Sequence, residues 1–505
     1  MPENGTPEAH RALPTNPSLR YLRIEAKRRL AAGEFPALHG AQAAIAREHG
    51  LPSWAALKAH IDQQNEGPAM AHLRWVIARF RDAGRPGWTE PDAAELTAHF
   101  DEQVLTAVPA ATLIAEIAKL APDLRRELTV VDQAPLQAQV QLAGMRFFVV
   151  AADEPPHLLT GLRGFPLAER LTDPRVKQPP PARIQGDPPA AVHQIAASAF
   201  ADLGLPALVL AGGAPGQAPW VLAQGHASLE TGEPLDPAHL LPAPGVTALV
   251  TATAVLRLVA QGRFGLDDPV NDQLRTLRLE NPAVTVRDLL SHSGGVDDPE
   301  PVYADRVPDL AELMGPVVAC GGPRGTLSPG NGGYGVLGQL AADVTGLTFA
   351  GAARQLVLDP LEMTASSLPQ TATDLARLNR ASCYTLTPEL AFAPSPPQVT
   401  VLPAVAGLWC TGADLVRLAT GWAALLPAPL AQQALSPQAG VVGLGWLLDL
   451  AGHTAIHAGA VPDATALVRA SLRGHRVHAI LVSRQITVDA PDSELTQAWT
   501  SWEAR

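Results

Sequence analysis

Apolar residues recur at helical spacing near the start of the chain and at strand spacing further on. LRYLRIEAKRRLAAG and HGAQAAIAREHG read as short helices stopped by Gly33 and Gly50. LPSWAALKAHI follows, with Ser53 placed to cap a helix that carries Trp54, Leu57 and Ile61 on one face. These patterns make residues 1–66 a helical N-terminal module. Residues 67–172 open with HLRWVIARF, AAELTAHF and ATLIAEIAKLA, all helical in period. They finish in the strand-like runs ELTVVD, LQAQVQL and MRFFVVAA, separated by Pro135 and Gly144. Helices followed by an antiparallel run predict an α+β domain. Residues 173–194 are expected as a linker, which Pro179 to Pro181 stiffen toward polyproline II. Residues 195–505 predict one large α/β unit.

Composition agrees with a multidomain protein. At 505 residues the chain exceeds one compact domain, and a 300-residue unit would bury roughly three quarters of its unfolded surface. Hydrophobic residues make up 47% and charged residues 17%, which suits globular domains rather than disorder. A net charge of −12 leaves no broad basic surface, so neither nucleic acid nor an anionic membrane is an expected partner. The basic run Arg20, Arg23, Lys27, Arg28 and Arg29 is expected as a solvated helix face. Three cysteines, Cys320, Cys383 and Cys410, show neither metal nor disulfide-framework spacing. The first residues lack the apolar core of a secretory signal, and no uncharged apolar run reads as a membrane span. A reduced, cytoplasmic setting is the expectation, with no cofactor.

Three stretches resemble known families. AIAREHGLPSWAALKAHI resembles a small helical module found before unrelated domains in bacterial proteins. The order of elements in residues 67–172 resembles the cone fold of steroid isomerases. No acid pair marks a catalytic centre there, and Asp132 is expected at a strand end rather than as a base. The specific match begins in VTALVTATAVLRLVAQGRFGLDDPVNDQL. It resembles the serine β-lactamase and penicillin-binding protein superfamily, on the branch of class C β-lactamases, esterases and DD-peptidases. Gly262, Leu266, Asp267, Asp268, Pro269 and Val270 carry the family's Gly-x-x-x-Leu-Asp-Asp-Pro-Val. Six more segments follow in order: VTVRDLLSHSGGV, GNGGYGVLGQLAADVTG, LDPLEM, CTGADLVRLA, VGLGW and IHAG. The resemblance implies an antiparallel sheet flanked by helices, plus an all-helical part.

It also implies a chemistry. The family places a serine at a helix start with a lysine three residues on, so both share a face. That lysine and a tyrosine from a Tyr-x-Asn loop move the serine's proton. A Lys-Thr-Gly or His-x-Gly strand binds substrate and completes the oxyanion hole. Here the serine position is Gly245, the lysine position is Ala248, and the tyrosine position is Pro329. Asn331 and His457-Ala458-Gly459 remain. No lysine occurs after Lys177, so no shift of alignment restores the pair. Tyr334 matches a packing position, and Tyr303 and Tyr384 have no motif around them. Loss of the nucleophile alone costs a serine protease roughly 10⁶-fold in turnover. The expectation is a pseudoenzyme with no catalytic residues, acting in binding, regulation or scaffolding.

Two other expectations compete with it. A hydrolase could use a relocated nucleophile such as Ser293, although Ser291-His292-Ser293-Gly294 matches the family's structural turn with Gly294 at the serine place. Thr247 lies two positions past Gly245, on a different face. Alternatively, residues 1–172 carry the function as an interaction module. Metal is not expected. His453 and His457 sit four apart on a strand, about 13 Å by strand rise, and His475 and His478 point to opposite sides. For binding, the resemblance implies backbone donors at Gly245 and Ala460. A small carbonyl or carboxylate would lie near Asn331, His457 and Gly459, or the protein's partner is another protein. An open cleft and one filled by Pro242, Pro244 and Pro329 stand as alternatives. Restoring Gly245→Ser, Ala248→Lys and Pro329→Tyr together is expected to rescue slow ester hydrolysis.

Overall fold

A computed structural model of the chain describes residues 37–57, 67–108, 110–142, 144–152, 154–300, 303–328, 330–449, 453–472 and 476–486. It also describes Leu22, Glu25, Ala26, Arg29, Leu30, Glu34 and Phe35. Two compact units emerge, Met1–Arg170 and Leu171–Arg505.

In the first unit, helix α1 (Leu38–Glu48) is followed by Gly50 at φ +76°, the left-handed stop that the sequence predicts. The Ser53 hydroxyl accepts from the Ala56 amide at 3.1 Å, the expected N-cap. Leu22, Ala26, Ala41, Ile45 and Leu57 form a small core of their own. A second core lies under helix α2 (Pro68–Phe80), whose Leu73, Val76 and Phe80 are buried at helical spacing. They pack against a four-stranded antiparallel meander: β1 (Leu128–Ala134), β2 (Gln137–Leu142), β3 (Met145–Ala151) and β4 (Leu159–Pro166). Ala138, Val140 and Leu142 alternate inward along β2. Strand β4 has no counterpart among the strand-like runs in the sequence, because Gly161 and Gly164 interrupt its pattern.

The second unit is built on an eight-stranded antiparallel sheet. Its strands are β5 (Arg183–Gln185), β6 (Ala207–Gly213), β7 (Trp220–Ser228), β8 (Leu447–Asp449), β9 (Thr454–Val461), β10 (Ala464–Ser471) and β11 (Val477–Val482). They run in the order β8-β9-β10-β11-β6-β7-β5, and the short Glu233–Pro234 strand pairs off β7. Both faces are covered. Leu208 and Leu210 of β6 point toward helix α3 (Ala190–Leu203), in a core with Val192, Ile195 and Phe200. Val209 and Ala211 point the other way and meet helix α4 (Gly412–Gly421), where Gly412 leaves room for them. This two-sided burial explains the uninterrupted apolar run ALVLAGG.

The helical part centres on α5 (Thr247–Ala260), buried almost all round, against α6 (Gly332–Thr345). Three threonines on this buried helix satisfy their hydroxyls on carbonyls: Thr247 on Ala243, Thr251 on Ala404 and Thr253 on Leu249. Among the described residues, no single helix is long and apolar enough to cross a membrane.

The expected linker is corrected. Residues 173–194 belong to the second unit, which begins at Leu171 rather than 195. Leu171 and Val176 are buried with Leu229 and Tyr384. Arg183, Ile184 and Gln185 form the edge strand β5, paired with β7, and α3 starts at Ala190. Pro179, Pro180 and Pro181 lie just before this strand, where no ladder hydrogen bond is asked of them. A linker side chain would tolerate truncation with almost no effect. Val176→Ala is instead expected to cost about 1–3 kcal/mol through lost burial, measurable as a lower urea midpoint at unchanged slope.

Candidate functional site

The degenerate motifs converge where the N-terminus of α5 meets β9. Pro242 pairs with Trp409, the Ala243 amide donates to the Leu408 carbonyl, and the chain then turns into the helix at Gly245. Gly245 has φ +69°, a left-handed conformation that disfavours any L side chain. Space excludes a side chain more firmly still. A Cβ there would fall 2.6 Å from the Ala458 carbonyl oxygen and 2.6 Å from Gly459 Cα. The relation is mutual, since a Cβ on Gly459 would lie 2.6 Å from Gly245 Cα and 2.8 Å from its nitrogen. Two glycines thus bring helix and strand into backbone contact. This close approach puts β9 backbone where a side chain on Gly245 would lie.

The remaining positions fit the same arrangement. Ala248 is 3% exposed with its methyl in the large core, so a lysine would have to bury an ammonium among apolar groups. Pro329 lies outside the described residues. Asn331 precedes α6, and its surroundings were not legible in sequence. The Asp298 carboxylate accepts from the Asn331 amide at 2.5 Å and from the Gly332 amide at 2.7 Å. Its other oxygen faces the Asn331 side-chain amide at 3.4 Å. An internal carboxylate therefore occupies the group that would have oriented a ligand, favourably placed at a helix start. Ala460 is exposed, one residue beyond the glycine contact, and pairs with Thr465.

His457 points to the α5 side of β9, and its Nδ1 donates to the Gly445 carbonyl at 2.7 Å. The Gly245 carbonyl also lies within reach of this ring. Burial pushes its pKa down, and the two carbonyls only partly oppose that. The ring ties the Gly245 turn to the loop at Gly445. His453 lies in the turn before β9 with φ +50°, apart from this ring's contacts. Among the described residues, no group of three His, Cys, Asp or Glu side chains could hold a metal. His475 lies outside the described residues.

The recruited-nucleophile expectations do not match the geometry. Ser293 is 4% exposed, shares a hydrogen bond of 3.0 Å with the Ser291 hydroxyl and faces the Asp288 carbonyl at 3.3 Å. Its neighbour His292 instead stacks on Tyr334, with ring centroids 4.8 Å apart. Thr247 Oγ1 donates to Ala243 and accepts from the Leu408 amide at 3.2 Å. Tyr334 is buried, its hydroxyl donates to the Leu290 carbonyl at 3.0 Å, and burial raises its pKa. Tyr384 accepts from the Leu229 amide and donates to Glu230 at 2.8 Å.

His292 gives the site a pH signature. Burial first, then the neighbouring His457, pull its pKa from 6.5 to about 4, against the Gly330 carbonyl and Asp298. Between these values the unfolded chain binds a proton that the folded one does not. Stability from this group is therefore complete above 6.5 and is lost as pH falls toward 4, by about 1–3 kcal/mol. His292→Asn tolerates the φ of +54° and does not titrate. Its melting temperature is expected to fall less than that of the natural chain between pH 6.5 and 4; parallel curves would contradict the assignment.

With this geometry in view, the comparisons with known proteins are specific. The Beta-lactamase family matches residues 192–497. Esterase EstB of Burkholderia gladioli is 40% identical over 79 residues, 15% of this chain and 20% of the relative. The matched chain thus spans about a fifth of that curated relative's length. Among solved structures, the octameric penicillin-binding protein homologue from Pyrococcus abyssi superimposes with TM-score 0.51 at 19% identity, covering 62% of this chain and 76% of that one. The penicillin binding protein from Bacillus halodurans gives 0.50 at 20%, covering 59% and 95%. A class C beta-lactamase gives 0.51 at 18%, covering 62% and 95%. These structures share the fold of the second unit, and the family match covers more than half of the sequence: the chain belongs to the Beta-lactamase family.

Proposed function

We propose that this chain is a Beta-lactamase family member that does not acylate, and that it acts by binding rather than by turnover. One observation carries this: the backbone of Ala458 and Gly459 stands where a nucleophile's Cβ would be, against Gly245 at φ +69°. Ala248 in the core and Asp298 on Asn331 support it independently. A covalent route needs a hydroxyl beside a proton acceptor, with donors aimed at the developing oxyanion. Ser293 and Thr247 are each committed to hydrogen bonds within the fold. The names of its relatives describe hydrolases, so the covalent route is the alternative to test.

Intact mass after treatment with a fluorescent penicillin and with a fluorophosphonate is expected to show the unmodified chain. A stoichiometric adduct mapped to Ser293, Thr247 or any other residue would overturn the proposal, as would nitrocefin turnover by pure protein. This close approach also changes the forecast for restoration. Gly245→Ser, Ala248→Lys and Pro329→Tyr together are expected to produce an unstable chain without esterase activity, because the serine's Cβ meets backbone that cannot swing aside. A folded triple variant that hydrolyses p-nitrophenyl esters above the natural chain would show that the contact opens.

A further inference from the structure

Beyond the Gly245–Gly459 contact, a pocket lies between the end of β9 and the segment from Ser395 to Thr400. Its walls include Tyr303, Arg380, Ser395, Trp409 and Asp463, with Pro396 and Pro397 at its side. Several firm anchors hold these groups. The Ala381 amide donates to Leu240, and the Leu240 amide donates to Asn379, which fixes the backbone around Arg380. The Ser395 amide donates to the Cys383 carbonyl at 2.9 Å. Trp409 is held in a two-stranded pairing with Pro242.

Two charges of opposite sign line this pocket, and neither has an ionic partner among the described residues. The Arg380 guanidinium sits 5.5 Å over the Trp409 ring. Among the described residues its hydrogen bonds run only to the Leu375 and Ala381 carbonyls, at 3.3 and 3.4 Å. Both are long for a guanidinium, and neither neutralises it. Asp463 receives the Tyr303 hydroxyl at 2.6 Å on Oδ1, a bond that supplies no charge. The two side chains line the same space without closing on each other as an ion pair. A third observation is an orphan: Ser395 Oγ is buried without a hydrogen-bond partner. A buried hydroxyl left empty-handed calls for an absent group that completes it.

We infer that this pocket binds a small zwitterion of the amino-acid type, with its carboxylate on Arg380 and Ser395 and its ammonium on Asp463. A simple anion would meet Asp463 and a simple cation would meet Arg380, so each alone gains one contact and suffers one repulsion. A zwitterion satisfies both, and hydrogen bonds to charged groups are the strong kind. Size restricts the ligand. The enclosed space is about 30 Å³, room for one small polar group. The rest of the molecule lies across the mouth, against Trp409, Pro396 and Pro397. The site uses none of the degenerate catalytic positions. It gives the binding proposal above a ligand, yet fails separately, because adduct formation tests one and equilibrium titration the other.

Isothermal titration of the full chain with D- and L-alanine, and with propionate and ethylamine as single-charge analogues, tests it. At least one alanine enantiomer is expected to saturate and to bind at least ~10-fold tighter than either analogue, the worth of one charged hydrogen bond. Arg380→Gln is expected to lose that ~10-fold. Asp463→Asn keeps a partner for Tyr303 and is expected to bind propionate as well as alanine, which abolishes the selectivity rather than weakening both ligands alike. Ser395→Ala, the mildest change, is expected to weaken alanine binding without altering the melting temperature of the free protein. No saturation by either enantiomer, or alanine indistinguishable from propionate in the natural chain, overturns the inference. So do folded Arg380→Gln and Asp463→Asn proteins that bind like the natural one; should either variant unfold, the analogue selectivity of the natural chain and the Ser395→Ala titration decide.

Discussion

The site in the second unit turns on one contact, the approach of Gly245 to Gly459 without a side chain between them. Glycine at both positions lets the start of a buried helix touch the backbone of a sheet strand. Either Cβ would overlap main-chain atoms of the other element, and main chain within a paired strand cannot rotate away. The positive φ at Gly245 adds a second, independent preference for glycine. Helix and strand are each anchored elsewhere: α5 by its burial on all sides, β9 by pairing with β8 and β10. The contact is therefore a consequence of the whole unit's packing rather than a local accident.

Once that space is closed, the groups around it take structural roles. The Ala248 methyl joins the core. His457 links the Gly245 turn to Gly445 instead of facing a ligand. Asp298 takes over the amides at the start of α6 and turns the Asn331 side chain toward itself. Each substitution removes a polar demand that an open reaction site would have left to substrate or water. Beyond the end of β9, Arg380 and Asp463 line one pocket with Ser395, whose buried hydroxyl has no hydrogen-bond partner.

The fold was largely legible because its signals are local. Gly50 and Ser53 stop and start helices by backbone and hydroxyl chemistry that needs no partner. The alternation in β2 and the continuous apolar run in β6 state one-sided and two-sided burial directly. The failures have equally physical causes. The proline-rich run after Asp173 has the composition of a linker, yet Val176 and Ile184 meet partners far away in sequence. Strand β4 hides behind two glycines whose pairing energy comes from β3.

The site divides the same way. That glycine and alanine stand at 245 and 248, where the family resemblance implies a hydroxyl and an amine, was readable from the sequence, since side-chain chemistry belongs to the residue itself. Whether the vacated space stayed open was not, because a separation of a few ångströms between residues more than two hundred positions apart is set by every layer packed between them. Asp298 shows this most plainly: nothing near it in the chain marks it as the partner of Asn331. By itself the sequence determined which layers form and which side chains stand at the motif positions. Tertiary structure alone decided that backbone would fill the gap, and that two unlike charges would be left facing one pocket.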